Sequence, residues 1–432
     1  MRRELITHLI NWKNKTVHKP LILAGARQVG KTWLMKELGR QAFTKTAYLN
    51  FEEMPHLQSV FDADYDTKRI LTSLRAASGV DITAGDTLVI LDEIQCTNDG
   101  RGLTALKYFH EQIPQLHICT AGSLLGIELH RHSSFPVGKV EYLPVYPLNF
   151  REFLAATASE QLLALLRTKD WPSITAFSAQ LTERLKQYYF VGGMPEAVMT
   201  FRDTGDLRAA QEVQKQILLA YEKDFSKHAP SEIVPRIRAI WNSIPSQLSK
   251  ENRKFIYGAL QKSARAKDYE IALQWLVDCG LVYQVHCLAT IQYPIKSVAE
   301  REVFKLFALD VGLLCAMTEI SPKTFIEGNA LMTNFKGALT EQYVCQQLIS
   351  ATPYGIPHYW SSSSGTAEVD FVIQKDDQII PIEVKAEENL KSKSLKVYSE
   401  KFKPTTVIRT SLSNYREESW MVNWPLYAVG EL

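Results

Sequence analysis

The chain has no paired cysteines. Its six, Cys96, Cys119, Cys279, Cys287, Cys315 and Cys345, are scattered over 432 residues without a C-x-x-C spacing. That argues against a disulfide framework or a zinc ribbon and fits reduced core thiols in a cytoplasmic protein. Long apolar runs are missing too. None approaches the length of a membrane span, so no membrane contact is expected. The first residues, MRRELITHLINWKNK, are too polar for a secretory leader. They read instead as an amphipathic helix with Leu5, Leu9 and Trp12 on one face. Excess charge of either sign is also lacking, with a formal net charge of +2. No whole-chain field draws the protein to nucleic acid, so any such face must be local. What the chain does have is apolar mass. Hydrophobic residues make up 46% and charged residues 22%, so the chain can bury real cores, and its 432 residues are enough for roughly two to four domains.

The most informative stretch is Leu21 to Thr32, LILAGARQVGKT. The apolar run Leu21-Ile22-Leu23-Ala24 reads as a buried parallel strand. Gly25-Ala26-Arg27-Gln28-Val29-Gly30-Lys31-Thr32 fits the phosphate-loop pattern G-x-x-x-x-G-K-[ST], and Trp33 to Leu38 has helical spacing. A strand, a glycine-bounded loop and a helix N-terminus make an anion site of inward-pointing N–H groups. Lys31 is expected at the β- and γ-phosphates of ATP and the Thr32 hydroxyl on Mg²⁺. Residues 86 to 93 then read as an apolar strand ending in Asp92-Glu93, a Walker B pattern. Asp92 is expected to hold the metal, and Glu93 to orient or deprotonate the attacking water. Gln95 is a further candidate beside that water or a neighbouring strand end. Residues 66–77 and 101–112 read as helices, and residues 116–123 as another buried strand.

The segments GARQVGKT, LVILDEIQ, TAGSLLG, FPVGKVEYLPVYPLNFREFL and YYFVGGMPEAV occur in this order. In this the chain resembles a large group of prokaryotic AAA-like ATPases that end in a domain of unknown function with a nuclease-like fold. The resemblance covers nearly the whole chain. It implies an α/β P-loop NTPase core (about 1–150), a helical lid with a winged helix (151–320, the winged helix about 245–290), and a restriction-endonuclease-like end (321–432). In AAA-type ATPases the strand after Walker B ends in a polar sensor near the γ-phosphate. Thr120 and Ser123 are the candidates, with an N-cap serine as the alternative for Ser123. Many relatives read Gly-Ser-Ser where this chain has Gly122-Ser123-Leu124, and Gly-Arg where it has Gly138-Lys139. A lysine lacks the bidentate fork of an arginine finger. The Gly192-Gly193 pair reads as a tight helix–helix junction, and Asp310 as a structural residue.

Residues 250–287 have the layout of a winged helix. Phe255 to Leu260 is expected as a short helix, Asp268 to Cys279 as a recognition helix, and Gly280 to His286 as the start of a wing strand. Lys250, Arg253, Lys254, Lys262, Arg265 and Lys267 form a basic cluster. It reads either as a DNA-backbone face or as a solvated face on a packing module.

In the last hundred residues the expected order is αβββαβ, with Asp370, Glu383 and Lys385 in an Asp…Glu-x-Lys arrangement. This is the pattern of PD-(D/E)xK nucleases. Adjacent antiparallel strands bring Asp370 beside Glu383. Two carboxylates make a hard site for Mg²⁺, and Lys385 is placed to activate water against a phosphodiester. Glu341 on the preceding helix is a further acidic candidate. Two functions follow as expectations. One is ATP hydrolysis that gates a DNA-directed activity; the other is a nucleotide-dependent switch that cuts nothing. Homo-oligomerisation is compatible with either.

Overall fold

The computed structural model describes residues 2–122, 138–250, 253–262, 264–327, 333–351, 355–386 and 391–432. It divides into two compact units, Arg2–Tyr146 with Asp278–Gly280, and Pro147–Val277 with Leu281–Leu432.

The first unit opens with helix α1 (Leu5–Lys13), whose Leu9 and Trp12 are buried. Strand β1 (Leu21–Ala24) leads through the glycine loop into α2 (Lys31–Ala42). Then follow β2 (Lys45–Asn50), α3 (Thr67–Ser78), β3 (Thr87–Asp92), α4 (Arg101–Gln112), β4 (His117–Ala121) and β5 (Glu141–Pro144). The strands form a parallel sheet in the order β2-β3-β4-β1-β5. All six residues of β3 are buried, as expected of a strand covered by helices on both faces. The chain leaves β1 for the far edge and returns, so the carboxyl ends of β1 and β3 open onto the crevice where such sheets bind ligands.

The second unit begins with helices α5 (Phe150–Ala156), α6 (Glu160–Thr168), α7 (Trp171–Ala176), α8 (Ser178–Val191), α9 (Pro195–Thr204), α10 (Leu207–His228), α11 (Val234–Leu248) and α12 (Ala266–Asp278). Next come β6 (Val282–Leu288), β7 (Ala299–Ala308), α13 (Val311–Met317), α14 (Pro322–Glu327) and α15 (Thr333–Ala351). The chain ends with β8 (His358–Ser361), β9 (Glu368–Lys375), β10 (Gln378–Val384), α16 (Lys393–Phe402), β11 (Ile408–Ser411), β12 (Arg416–Glu417) and β13 (Val422–Pro425). Eight strands make one mixed sheet, ordered β12-β13-β11-β10-β9-β8-β6-β7.

Two local expectations change. Phe255 to Leu260 is not a helix. Lys254 bridges Lys305, and the Phe255 N–H donates to the Phe304 carbonyl at 2.8 Å before a short 3-10 turn. The hairpin β6–β7 does not stand alone as a wing, because β6 pairs in parallel with β8 through Cys287–Tyr359 and Leu288–Trp360. Five of the seven β6 residues are buried. A strand so apolar needs cover on both faces, which a solvent-exposed wing does not offer.

The Gly-Gly junction is tied to Asp310, which is fully buried. Its carboxylate accepts from Gly312 N at 3.0 Å, Leu313 N at 3.1 Å, Gly193 N at 2.6 Å and Gln346 Nε2 at 2.9 Å. A Cβ on Gly192, at φ +69°, would lie 2.1 Å from that carboxylate. The motif's glycines therefore serve the close approach of α8, α13 and α15 around one buried anion.

Candidate functional site

The phosphate loop is set by what surrounds it. Gly25 has φ +154°, and a Cβ there would lie 2.3 Å from the Val145 carbonyl. Ala26 and Val29 are buried and anchor the loop, while Arg27 is half-buried and Gln28 exposed. Gly30 is left-handed and caps α2, so Lys31 and Thr32 open the helix. Arg3, which sequence reasoning missed, donates to the Val29 carbonyl at 2.9 Å and to Tyr146 O at 2.7 Å. It ties the strip before α1 to the loop.

Lys31 is buried and its ammonium donates to the carbonyls of Gly25 at 2.8 Å and Ala26 at 2.7 Å. Burial pushes its pKa down to about 8, against the pull of Glu93 and Asp92. These are neutral acceptors. Phosphate oxygens, being charged, bind an ammonium more strongly and can displace them.

The two motifs meet at one oxygen. Asp92 Oδ2 accepts from the Thr32 hydroxyl at 2.7 Å and from the Tyr48 hydroxyl at 3.1 Å. Burial raises the Asp92 pKa, and those two donors oppose the rise. A hydroxyl and a carboxylate in direct contact are the pair that a P-loop site uses for Mg²⁺, so the residues fit that ion. Tyr48 is the second residue the sequence did not single out. It lies two positions before Asn50, which pairs in register with Asp92. Glu93 follows in a left-handed conformation, φ 51° and ψ 43°. Non-glycine residues hold that conformation only where the surroundings impose it. Here the Gln95 amide donates to the Glu93 carboxylate.

Of the sensor candidates, Thr120 is fully buried and donates to the Leu91 carbonyl at 2.6 Å. It stitches β4 to β3. Ser123 lies outside the described residues. Lys139 pairs with Glu111 at 3.0 Å.

In the C-terminal sheet, β9 and β10 run antiparallel. The Val384 N–H donates to Asp370 Oδ2 at 2.8 Å, and Lys385 Nζ lies 2.7 Å from Glu383 Oε1. So Asp370, Glu383 and Lys385 do come together. Glu341 joins them from α15, paired with Arg253. Arg253 is thereby turned inward, away from the basic face expected of it.

A further member of the cluster, Lys305 of β7, was not foreseen. Its side chain is fully buried, and its ammonium lies 2.7 Å from Glu368 Oε1, 3.7 Å from Glu341 Oε2 and 4.0 Å from Asp370 Oδ1. A lysine inside the run Val303-Phe304-Lys305-Leu306-Phe307 was the available signal. Among the described residues, no group of three or more His, Cys, Asp or Glu is arranged to hold a metal ion. With an ammonium among its carboxylates, the centre does not fit the Mg²⁺ expected at Asp370 and Glu383.

Comparison with known proteins separates the chain into three stretches. Residues 17–154 match a family model described as AAA domain. Residues 182–324 match a domain of unknown function, DUF8612, and residues 336–428 another, DUF4143. No curated protein matches. Among solved structures, the Walker-type ATPase PABY2304 of Pyrococcus abyssi is similar at 16% identity over 73% of this chain and 95% of that one, with a TM-score of 0.47. The Aeropyrum pernix ORC1 protein, solved in complex with DNA, is similar at 12% identity over 76% of this chain and 94% of that one, with a TM-score of 0.28. Among the described residues, no helix is long and apolar enough to cross a membrane. The chain carries an AAA-type P-loop ATPase domain followed by two domains of unknown function.

Proposed function

We propose that the protein is a Mg²⁺-dependent ATPase whose nucleotide state switches what the C-terminal half binds. The observation that carries this reading is the 2.7 Å contact of the Thr32 hydroxyl with Asp92, beside the Lys31 ammonium. Backbone N–H groups of residues 25–32 cradle the phosphates, and Lys31 exchanges its loop carbonyls for β- and γ-phosphate oxygens. Thr32 and Asp92 hold the metal ion. Bound there, the ion neutralises charge on the phosphate oxygens. Glu93, held by Gln95, orients the attacking water. The test is calorimetric ATP binding and phosphate release by wild type and Lys31→Ala. Binding and turnover by wild type alone support the reading; a folded wild type that ignores millimolar ATP sinks it.

On this reading the C-terminal half is an output surface and cuts nothing. Plasmid incubated with Mg²⁺ should stay intact with wild type and with Lys385→Ala alike. A polyanion partner is favoured by one observation. Lys391, Lys393, Lys396, Lys401 and Lys403 on and around α16 are all exposed, and Glu400 is the sole acid among residues 391–403. Such a face neutralises phosphates without reading sequence. Binding of duplex DNA that weakens steeply with salt supports it. Salt-independent binding, or none, removes it.

A further inference from the structure

Burying a lysine is costly, and the cost is offset only by close, well-arranged partners. Lys305 has no exposed surface, and Glu368, Glu341 and Asp370 lie 2.7, 3.7 and 4.0 Å from its ammonium. The Tyr359 ring covers another side at 4.9 Å from its centroid. Arg253 pairs with Glu341, and Lys385 with Glu383 at 2.7 Å. Four carboxylates therefore face three cations. With three cations already in place, the centre has little excess negative charge with which to attract a divalent ion.

Geometry gives the same answer. Mg²⁺ asks for oxygens at about 2.1 Å in an octahedron and keeps several waters. Here Glu368 Oε1 stands at ammonium contact distance from a nitrogen, the Glu341 and Asp370 oxygens stand farther out at 3.7 and 4.0 Å, and Asp370 Oδ2 is engaged by the Val384 N–H. The ligating residue types are present; the space and the charge are taken.

We propose that Lys305 is a built-in counter-cation, whose ammonium stands where a divalent metal ion would sit among Glu341, Glu368 and Asp370 and keeps such ions out. The C-terminal half is then metal-free by construction, and removing one amine unmasks a latent metal site.

The test uses the full chain without nucleotide and Mn²⁺ alone as probe, with bound ion counted by electron paramagnetic resonance. Wild type and Asp370→Asn should take up equal Mn²⁺. Lys305→Met should gain one ion per chain, bound at least tenfold more tightly than any in wild type, and Lys305→Met/Asp370→Asn should lose it. A Lys305→Met protein that folds only with Mn²⁺ supports the proposal as well. If Lys305→Met folds under no condition, the wild-type arm decides. Uptake by wild type that falls in Asp370→Asn overturns the proposal, as does a folded Lys305→Met that gains nothing.

Discussion

Among the described residues, two lysines are buried, in two different ways. Lys31 is held by neutral carbonyls of its own loop, and its pKa is pushed down to about 8. Lys305 is fully buried among carboxylates; burial lowers its pKa, but Glu341, Glu368 and Asp370 outweigh it and the net shift is upward. On the functions proposed above, the difference separates two jobs. A cation that must trade partners is kept on weak acceptors, so an incoming phosphate wins. A cation that must stay is neutralised on the spot.

The largest expected effect follows from the first job. Lys31→Ala should lower ATP turnover by about 1,000-fold or more, since the phosphate charge loses its main cation. It should leave the thermal midpoint unchanged or raised, because it removes a poorly compensated buried charge. Phosphate-release kinetics and calorimetry on one preparation check both halves. A large stability loss would erase the contrast between the lysines. Lys305→Ala should do the reverse. Nucleotide binding is retained while the second unit loses about 3–5 kcal/mol, the usual cost of stranding buried partners, read from urea unfolding without added metal.

Glu93→Gln sharpens the first half of the comparison. Turnover should fall on the order of 100-fold while ATP affinity stays within about threefold, since the amide keeps the shape but cannot accept a proton. An equal fall in affinity would give Glu93 a binding role instead.

The smallest effect concerns groups held neutral. His18 and His117 stack at 3.9 Å, and His117 Nε2 lies 3.2 Å from the Lys13 carbonyl. Burial pushes His117 down to about 4, and it lowers His18 too. Both take up a proton less readily when folded than when unfolded, where they titrate near 6.5. The unfolded chain therefore takes up protons that the folded one refuses, and stability falls as pH drops below that value. Going from about pH 7 to about pH 5 should cost roughly 1–2 kcal/mol. His117→Phe, which keeps the stack, should flatten that slope in urea midpoints.

How much of this could be read in advance depends on the range of the interaction. Gly25 to Thr32 is one local motif, and Asp92-Glu93 closes an apolar strand, so both were legible. Asp370, Glu383 and Lys385 were legible because a hairpin fixes their register. Arg3, Tyr48 and Lys305 were not. Arg3 reaches a carbonyl on another element, Tyr48 depends on a crossover that sets β2 beside β3, and Lys305 depends on β6 pairing with β8. A hairpin has the same alternation whichever sheet it joins, so β6–β7 read as a wing. The same ambiguity hid why Arg253 points inward to Glu341.

One count tests the contrast most directly. With a non-hydrolysable ATP analogue at saturation, Mn²⁺ bound per chain should be one. That ion should vanish in Lys31→Ala and persist in Asp370→Asn. Two ions per chain, the second lost in Asp370→Asn, would contradict the account.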